Sequence, residues 1–111
     1  MGADPISISL TDSKCLSSNE MFILMLKDTG KAITIGQTTG GGSGNPKTFN
    51  LHLANKDFTL RVSTWRMYRN NGQPLEGVGI EPDIPIPVAT NDKNEKRDAV
   101  LEKALEYLKN I

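Results

Sequence analysis

Few residues of this 111-residue chain have both the type and the setting to do chemistry. Ser17 follows an alternating stretch and a short turn, at the point where a helical pattern begins. A serine hydroxyl placed there is exposed and lies close to backbone N–H groups with no acceptor inside the helix. Those donors favour the negative charge of an attacking oxygen or of a tetrahedral intermediate. The same serine, with Glu20 three positions on, also writes the capping box Ser-x-x-Glu that a helix start needs without any catalysis. Taken by itself the spacing favours the cap, because capping serines are common and nucleophiles rare.

His52 is the one histidine, so a Ser–His pair internal to this chain would have to use it. It stands between Leu51 and Leu53 in an alternating run, which turns it to the face opposite both, the solvent side of a strand. Cys15 is the one cysteine, so no internal disulfide can form and the compartment stays open. Nothing beside it lowers a thiol pKa, and a lone cysteine usually serves as a small hydrophobe. Without a Cys or His cluster a zinc site has no support. The run GQTTGGGSGNP has neither G-x-x-x-x-G-K-[ST] nor G-x-G-x-x-G, so it is a poor phosphate cradle. On spacing alone it reads as a mobile surface loop ahead of a substrate-contacting one. Glu76 stands in PLEGVGIEPD, where Gly77 and Gly79 permit close backbone approach and Pro82 stiffens the exit. A carboxylate on so constrained a segment can orient another group, and the same spacing also suits a solvated loop glutamate.

The elements that must position these residues follow from periodicity. Ile6, Ile8 and Leu10 alternate with Ser7, Ser9 and Thr11, which predicts a strand. SSNEMFILMLKDTG predicts a helix over about Ser18 to Thr29, with Phe22, Met25, Leu26 and Thr29 on one face and Gly30 as terminator. KAITIG is a second strand, and TFNLHLA with FTLRVSTWRMY form a hairpin separated by Asn55, Lys56 and Asp57. NNGQPLEGVGIEPDIPIP carries four Pro and three Gly, an ordered but non-helical excursion. After the linker-like TNDKNEKR, Leu101, Ala104, Leu105, Leu108 and Ile111 predict an amphipathic helix that docks. The fold class is therefore α/β, a mixed sheet with flanking helices, in one domain over residues 6–111. Residues 1–5, MGADP, read as an added start ahead of an internal segment; they have neither a secretory pattern nor, with Ile6 in place of Ser or Thr, a myristoylation pattern. Lys plus Arg and Asp plus Glu are 13 each, which removes any electrostatic case for nucleic acid or an anionic membrane as partner.

The ordered series PISISLTD, CLSSNEMF, KAITIGQTTGG, LEGVGIEPDIPIPV and DAVLEKALEYL resembles the C-terminal processing (tail-specific) and tricorn-core serine peptidases. That family includes bacterial tail-specific proteases, chloroplast processing peptidases, the tricorn core and the retinoid-binding modules of the eye. The resemblance spans nearly the whole chain and implies the C-terminal part of a Clp-protease/crotonase-like catalytic domain. It reverses the odds on Ser17, which it implies to be the nucleophile, with the Ser18 N–H as an oxyanion donor and Gly40, Gly41 and Gly42 as a substrate loop. One branch of the family keeps a lysine base in that loop, where this chain has Gly42. In the tricorn-like branch a glutamate matching Glu76 orients a histidine supplied from far upstream.

The expectation is a serine endopeptidase acting on polypeptides, without metal or cofactor. This chain would be inactive alone, because the base and an oxyanion glycine pair belong to the N-terminal half of the same domain. A non-catalytic ligand-binding module, as in the retinoid-binding relatives, is the alternative. Sheet edges left open favour an oligomer, and the relatives favour an extracytoplasmic location.

Overall fold

A computed structural model describes residues 7–87 and 97–111; the expectations for residues 1–5, for Ile6 and for most of TNDKNEKR lie outside the described residues. The chain runs β1 (Ser7–Thr11), α1 (Ser18–Asp28), β2 (Ala32–Gly36), β3 (Lys47–Leu53), β4 (Lys56–Val62), β5 (Ile84–Pro85) and α2 (Ala99–Lys109). One sheet has the order β1-β2-β5 with both pairings parallel, and β3 and β4 form a separate antiparallel pair. Parallel neighbours need a crossover, and α1 supplies it between β1 and β2. The central β2 is buried along nearly all its length, so it reads AITIG rather than as an alternation. Pro85 is tolerated because β5 borders the described sheet. Gly36 is required: at φ 136 it pairs with Thr11 so closely that a Cβ would lie 2.1 Å from the Thr11 carbonyl oxygen.

The core is Ile23 and Leu24 from α1 against Leu75 and Ile80, with Cys15 and Met67 packed on it. This corrects the expected face of α1. Phe22 and Met25 are more than half exposed, while Glu20, Ile23 and Leu24 point inward. The inward face therefore starts with a carboxylate, which patterning assigns to solvent. The far end of α1 is tied by a polar clamp. Asp83 accepts from Thr34 N at 2.8 Å, Thr34 Oγ1 at 2.7 Å and Lys27 Nζ at 2.7 Å. Burial alone would raise the Asp83 carboxyl; the bonds from Lys27 and Thr34 outweigh it and hold the group below its ordinary value.

α2 docks on β1 and β2, but not by its leucine stripe. Ala104 is buried, with Val100 and Tyr107 half-buried, whereas Leu101, Leu105 and Leu108 are 45–50% exposed. The small side chain of Ala104 lets the helix backbone approach the sheet, so the docking face is set by the alanine. In the hairpin the turn is Ala54–Asn55, both at positive φ, while Lys56 and Asp57 belong to β4. Two left-handed residues match the twist of the flanking strands, so a two-residue turn replaces the longer expected separator. Every residue of β3 and β4 is exposed, including one apolar face of Phe49, Leu51, Leu53, Phe58, Leu60 and Val62. The radius of gyration is 18.0 Å, against about 13 Å for a compact domain of this length.

Candidate active site

The path from β1 to α1 is a sharp turn. Asp12 Oδ1 accepts from Lys14 N at 2.9 Å and Cys15 N at 3.1 Å, folding the chain back immediately after the strand. Ser17 then adopts φ 57, ψ −123 and leads into Ser18, the first residue of α1. N-capping serines sit in extended backbone. A non-glycine in this region costs about 1–3 kcal/mol and persists only where its surroundings impose it. Ser17 is exposed, and the neighbouring Ser18 N–H belongs to the first helical turn, which has no intrahelical acceptor. This strand, strained turn and helix is the arrangement that lifts a nucleophile clear of a sheet edge.

The Ser17 turn is tied to Glu20. Its side chain is fully buried, and its carboxylate accepts from Ser17 N at 3.0 Å, Thr39 Oγ1 at 2.5 Å, Gly41 N at 2.8 Å and Gly42 N at 3.0 Å. The capping-box spacing foretold the first of these bonds and none of the others. The glycine run is accordingly held at each residue from Thr39 to Ser43. Thr39 N donates to Ile80 O, Gly40 N to Cys15 O, Gly41 and Gly42 to Glu20, and the Ser43 hydroxyl to Glu76. Gly41 is needed as glycine: it sits at φ 69, and a Cβ would meet Gly79 N at 2.7 Å and Leu75 O at 2.8 Å. The phosphate-cradle reading fails for a physical reason, since an internal carboxylate already occupies the loop's N–H groups.

Glu76 lies on the other side of this loop, half-buried. Besides the Ser43 hydroxyl it accepts from Met67 N at 3.1 and 3.0 Å. The Ser43 bond is the main cause holding its carboxyl below the ordinary value, against the opposing effect of burial and with help from Met67 N–H and the Arg66 charge. Ser17 and Ser18, the glycines 40–42 and Glu76 thus gather around one loop, with the adjacent Gly42 and Ser43 bonded to Glu20 and Glu76 respectively. His52 is not part of it; Nδ1 faces Asp57 Oδ1 at 2.7 Å across the exposed hairpin. Cys15 packs at the core margin, where burial first, then the Glu20 and Asp12 charges, raise its thiol pKa, the reverse of what a nucleophile needs. Thr39, Ser43 and the full role of Glu20 were missed by sequence reasoning. The available signal was a run of glycine N–H groups requiring an acceptor. A hollow of about 450 Å³ runs beside the turn, lined by Leu10, Asp12, Lys14, Cys15, Asn19 and Phe22 among others. Among the described residues no group of three or more His, Cys, Asp or Glu could hold a metal ion.

Residues 4–86 match the model of peptidase family S41. The chain belongs to that family. A chlamydial protein of uncharacterised function, from Chlamydia muridarum, is 32% identical over 90 residues, 79% of this chain and 14% of that protein. The structure of mature CPAF complexed with lactacystin superposes with a TM-score of 0.71 at 27% identity, covering 92% of this chain and 19% of CPAF. The tricorn protease superposes at 0.76 over 91% of this chain and 10% of its own, and at 24% identity shows the shared fold. The family and the α/β catalytic-domain fold are those the sequence resemblance implied. This S41 chain spans under a fifth of each of these three proteins.

Proposed function

We propose that the protein of which this S41 chain forms part is a serine endopeptidase, with Ser17 as nucleophile and Ser18 N–H as one oxyanion donor. The observation that carries this reading is the backbone of Ser17, exposed, at positive φ and at a helix N-terminus, where a plain cap needs no strain. In the reaction Ser17 Oγ attacks the scissile carbonyl carbon while a histidine from outside the described residues takes the hydroxyl proton. The carbonyl electron pair moves onto oxygen facing Ser18 N–H. Collapse breaks the C–N bond, and the histidine returns the proton to the leaving amine. Water then hydrolyses the acyl-enzyme by the same two steps. Glu76 orients the histidine. Its ionised, doubly anchored carboxylate suits that role, and Gly42 leaves no lysine for the alternative base.

The remaining catalytic-domain residues are the second partner, beside the polypeptide substrate. The exposed apolar residues of the hairpin and of α2 support a chain that works within a larger domain.

The test is labelling of the full-length protein by a serine-directed phosphonate. Wild type is expected to carry the label on the peptide containing Ser17, and Ser17→Ala to carry none. An unlabelled wild type would favour the ligand-binding module instead. The 111-residue chain alone is expected to show no turnover of unfolded protein.

A further inference from the structure

We propose that Glu20 is a positioning residue for this reaction: its buried carboxylate fixes the glycine loop and the Ser17 turn in a single arrangement. The proposal rests on the serine-peptidase reading above. Each carboxylate oxygen serves two donors. Oε1 takes Thr39 Oγ1 and Gly41 N, and Oε2 takes Ser17 N at 3.0 Å and Gly42 N at 3.0 Å. One atom therefore joins the N–H of the nucleophile residue to the loop 25 positions later in sequence (42 minus 17).

A glutamate that merely capped α1 would reach back from the surface with one oxygen. It would not be fully buried, and it would hold nothing of a distant segment. The glycine loop supplies consecutive inward N–H groups, an anion-binding concavity, and Glu20 is the anion that fills it.

The consequence for chemistry lies in the backbone of Ser17. Its N–H is held by Glu20 and its carbonyl by Met21 N at 3.1 Å, so both peptide planes flanking Cα are fixed. The first plane sets the direction of the Ser17 side chain, and the second carries the Ser18 N–H. Glu20 thus holds the plane that aims the nucleophile, the helical bond from Met21 holds the plane that carries the oxyanion donor, and Glu20 touches neither substrate nor reacting atoms. Such a residue acts on the transition state more than on substrate binding.

The experiment uses the full-length protein and reads phosphonate labelling of Ser17 together with kcat and KM on an unfolded protein substrate. Glu20→Gln keeps the shape but turns an amide N–H toward backbone N–H donors. It is expected to lower the labelling rate and kcat by about 10²-fold with KM changed less than about twofold, as for a misplacement of about 1 Å at a reacting group. Glu20→Asp, one methylene too short to reach both segments, is expected not to rescue. A folded Glu20→Gln with wild-type labelling and turnover, or with KM raised and kcat intact, overturns the proposal. Should Glu20→Gln fail to fold, Thr39→Val decides. That change removes one of the four donors and leaves the Ser17 link in place. Labelling slowed severalfold supports the proposal, and an unchanged rate overturns it. A wild type that takes no label overturns the peptidase reading and this proposal with it, whereas a labelled wild type with indifferent variants overturns this proposal alone.

Discussion

The glycine loop and the β3–β4 hairpin follow one another in the chain and obey opposite rules. Residues 39–43 form no regular secondary structure, yet each is hydrogen-bonded and Thr39 and Ser43 are buried. The hairpin pairs seven residues with seven in regular register, yet none of them is buried. Local regularity and fixed position are separate properties. The loop is fixed by long-range bonds to two carboxylates, whereas the hairpin is held by its own ladder, and an isolated pair of strands is marginal in water. If this contrast is right, substitutions within residues 39–43 should cost stability and those of the residues gathered around them activity, while those on the polar face of the hairpin should cost neither.

The largest effect is expected at the point where the strain meets the chemistry. Ser17→Gly should abolish turnover of the full-length protein, a loss on the order of 10⁴ to 10⁶ in kcat for a missing nucleophile. The same change should raise thermal stability slightly, by about 1 kcal/mol, because glycine accepts φ 57 without a Cβ penalty. Calorimetry and a peptidase assay on one variant read both. A loss of stability on Ser17→Gly would show that the backbone there is unstrained and that Ser17 is an ordinary cap.

Next comes Glu76→Gln, on the other side of the loop. As orienter of a histidine it should lower kcat by about 10² or more with KM nearly unchanged, since a base in the wrong orientation or tautomer harms the transition state. Near-normal kcat would remove Glu76 from the mechanism and leave Ser17 standing. Because its folded carboxyl pKa is depressed, the contribution of Glu76 to stability is complete above the ordinary glutamate pKa and disappears as pH falls through the folded value. Acid unfolding of wild type against Glu76→Gln checks the sign: the difference between them should shrink toward low pH. Asp83 in the Lys27–Thr34 clamp has the same sign and should behave likewise.

Gly41→Ala sharpens the comparison through stability alone. The added Cβ meets backbone at 2.7 and 2.8 Å and the position has φ 69, so nothing flexible can yield. The expected cost is about 2–4 kcal/mol, from overpacking plus backbone strain. Gly72→Ala is the control. There φ is 82 but no atom lies within 4 Å, so only the strain of roughly 1 kcal/mol should appear. Equal costs at the two glycines, measured by denaturant unfolding, would mean that the loop is as loosely held as an exterior turn.

Periodicity was enough to find β1, α1, β2, the hairpin and α2, because each buries or pairs a repeating face. It was not enough to say which face. Glu20 lies on the inward face of α1 beside Ile23 and Leu24, and Ala104 on that of α2, whereas hydrophobic patterning ranks a glutamate as surface and an alanine below its leucine neighbours. The hairpin turn was misplaced because Asn-Lys-Asp has turn composition while Ala54, at φ 50, does not. Of the proposed site, Ser17 and Glu76 were singled out through resemblance to a family. Its closure was not legible, because the bonds from Thr39, Gly41, Gly42 and Ser43 span 19 to 33 positions and leave no local pattern.

The smallest expected effect is at His52, and it tests the other half of the comparison. The imidazole and Asp57 face each other at 2.7 Å, with side chains 67% and 91% exposed. Exposed pairs of this kind contribute about 0–1 kcal/mol at most, since water screens the attraction and two side chains must be ordered to make it. His52→Ala should therefore change stability by no more than about 0.5 kcal/mol, as surface substitutions generally do. In the full-length protein it should leave kcat and KM where they were, because the nitrogen that would accept the Ser17 proton must lie within about 3 Å of Oγ, and His52 is spent on the solvent face of a strand. A large fall in kcat on His52→Ala, with KM preserved, would mean that the hairpin folds back over the nucleophile during turnover and supplies the base itself. The exposed hairpin would then be part of the active site, and no upstream histidine would be needed.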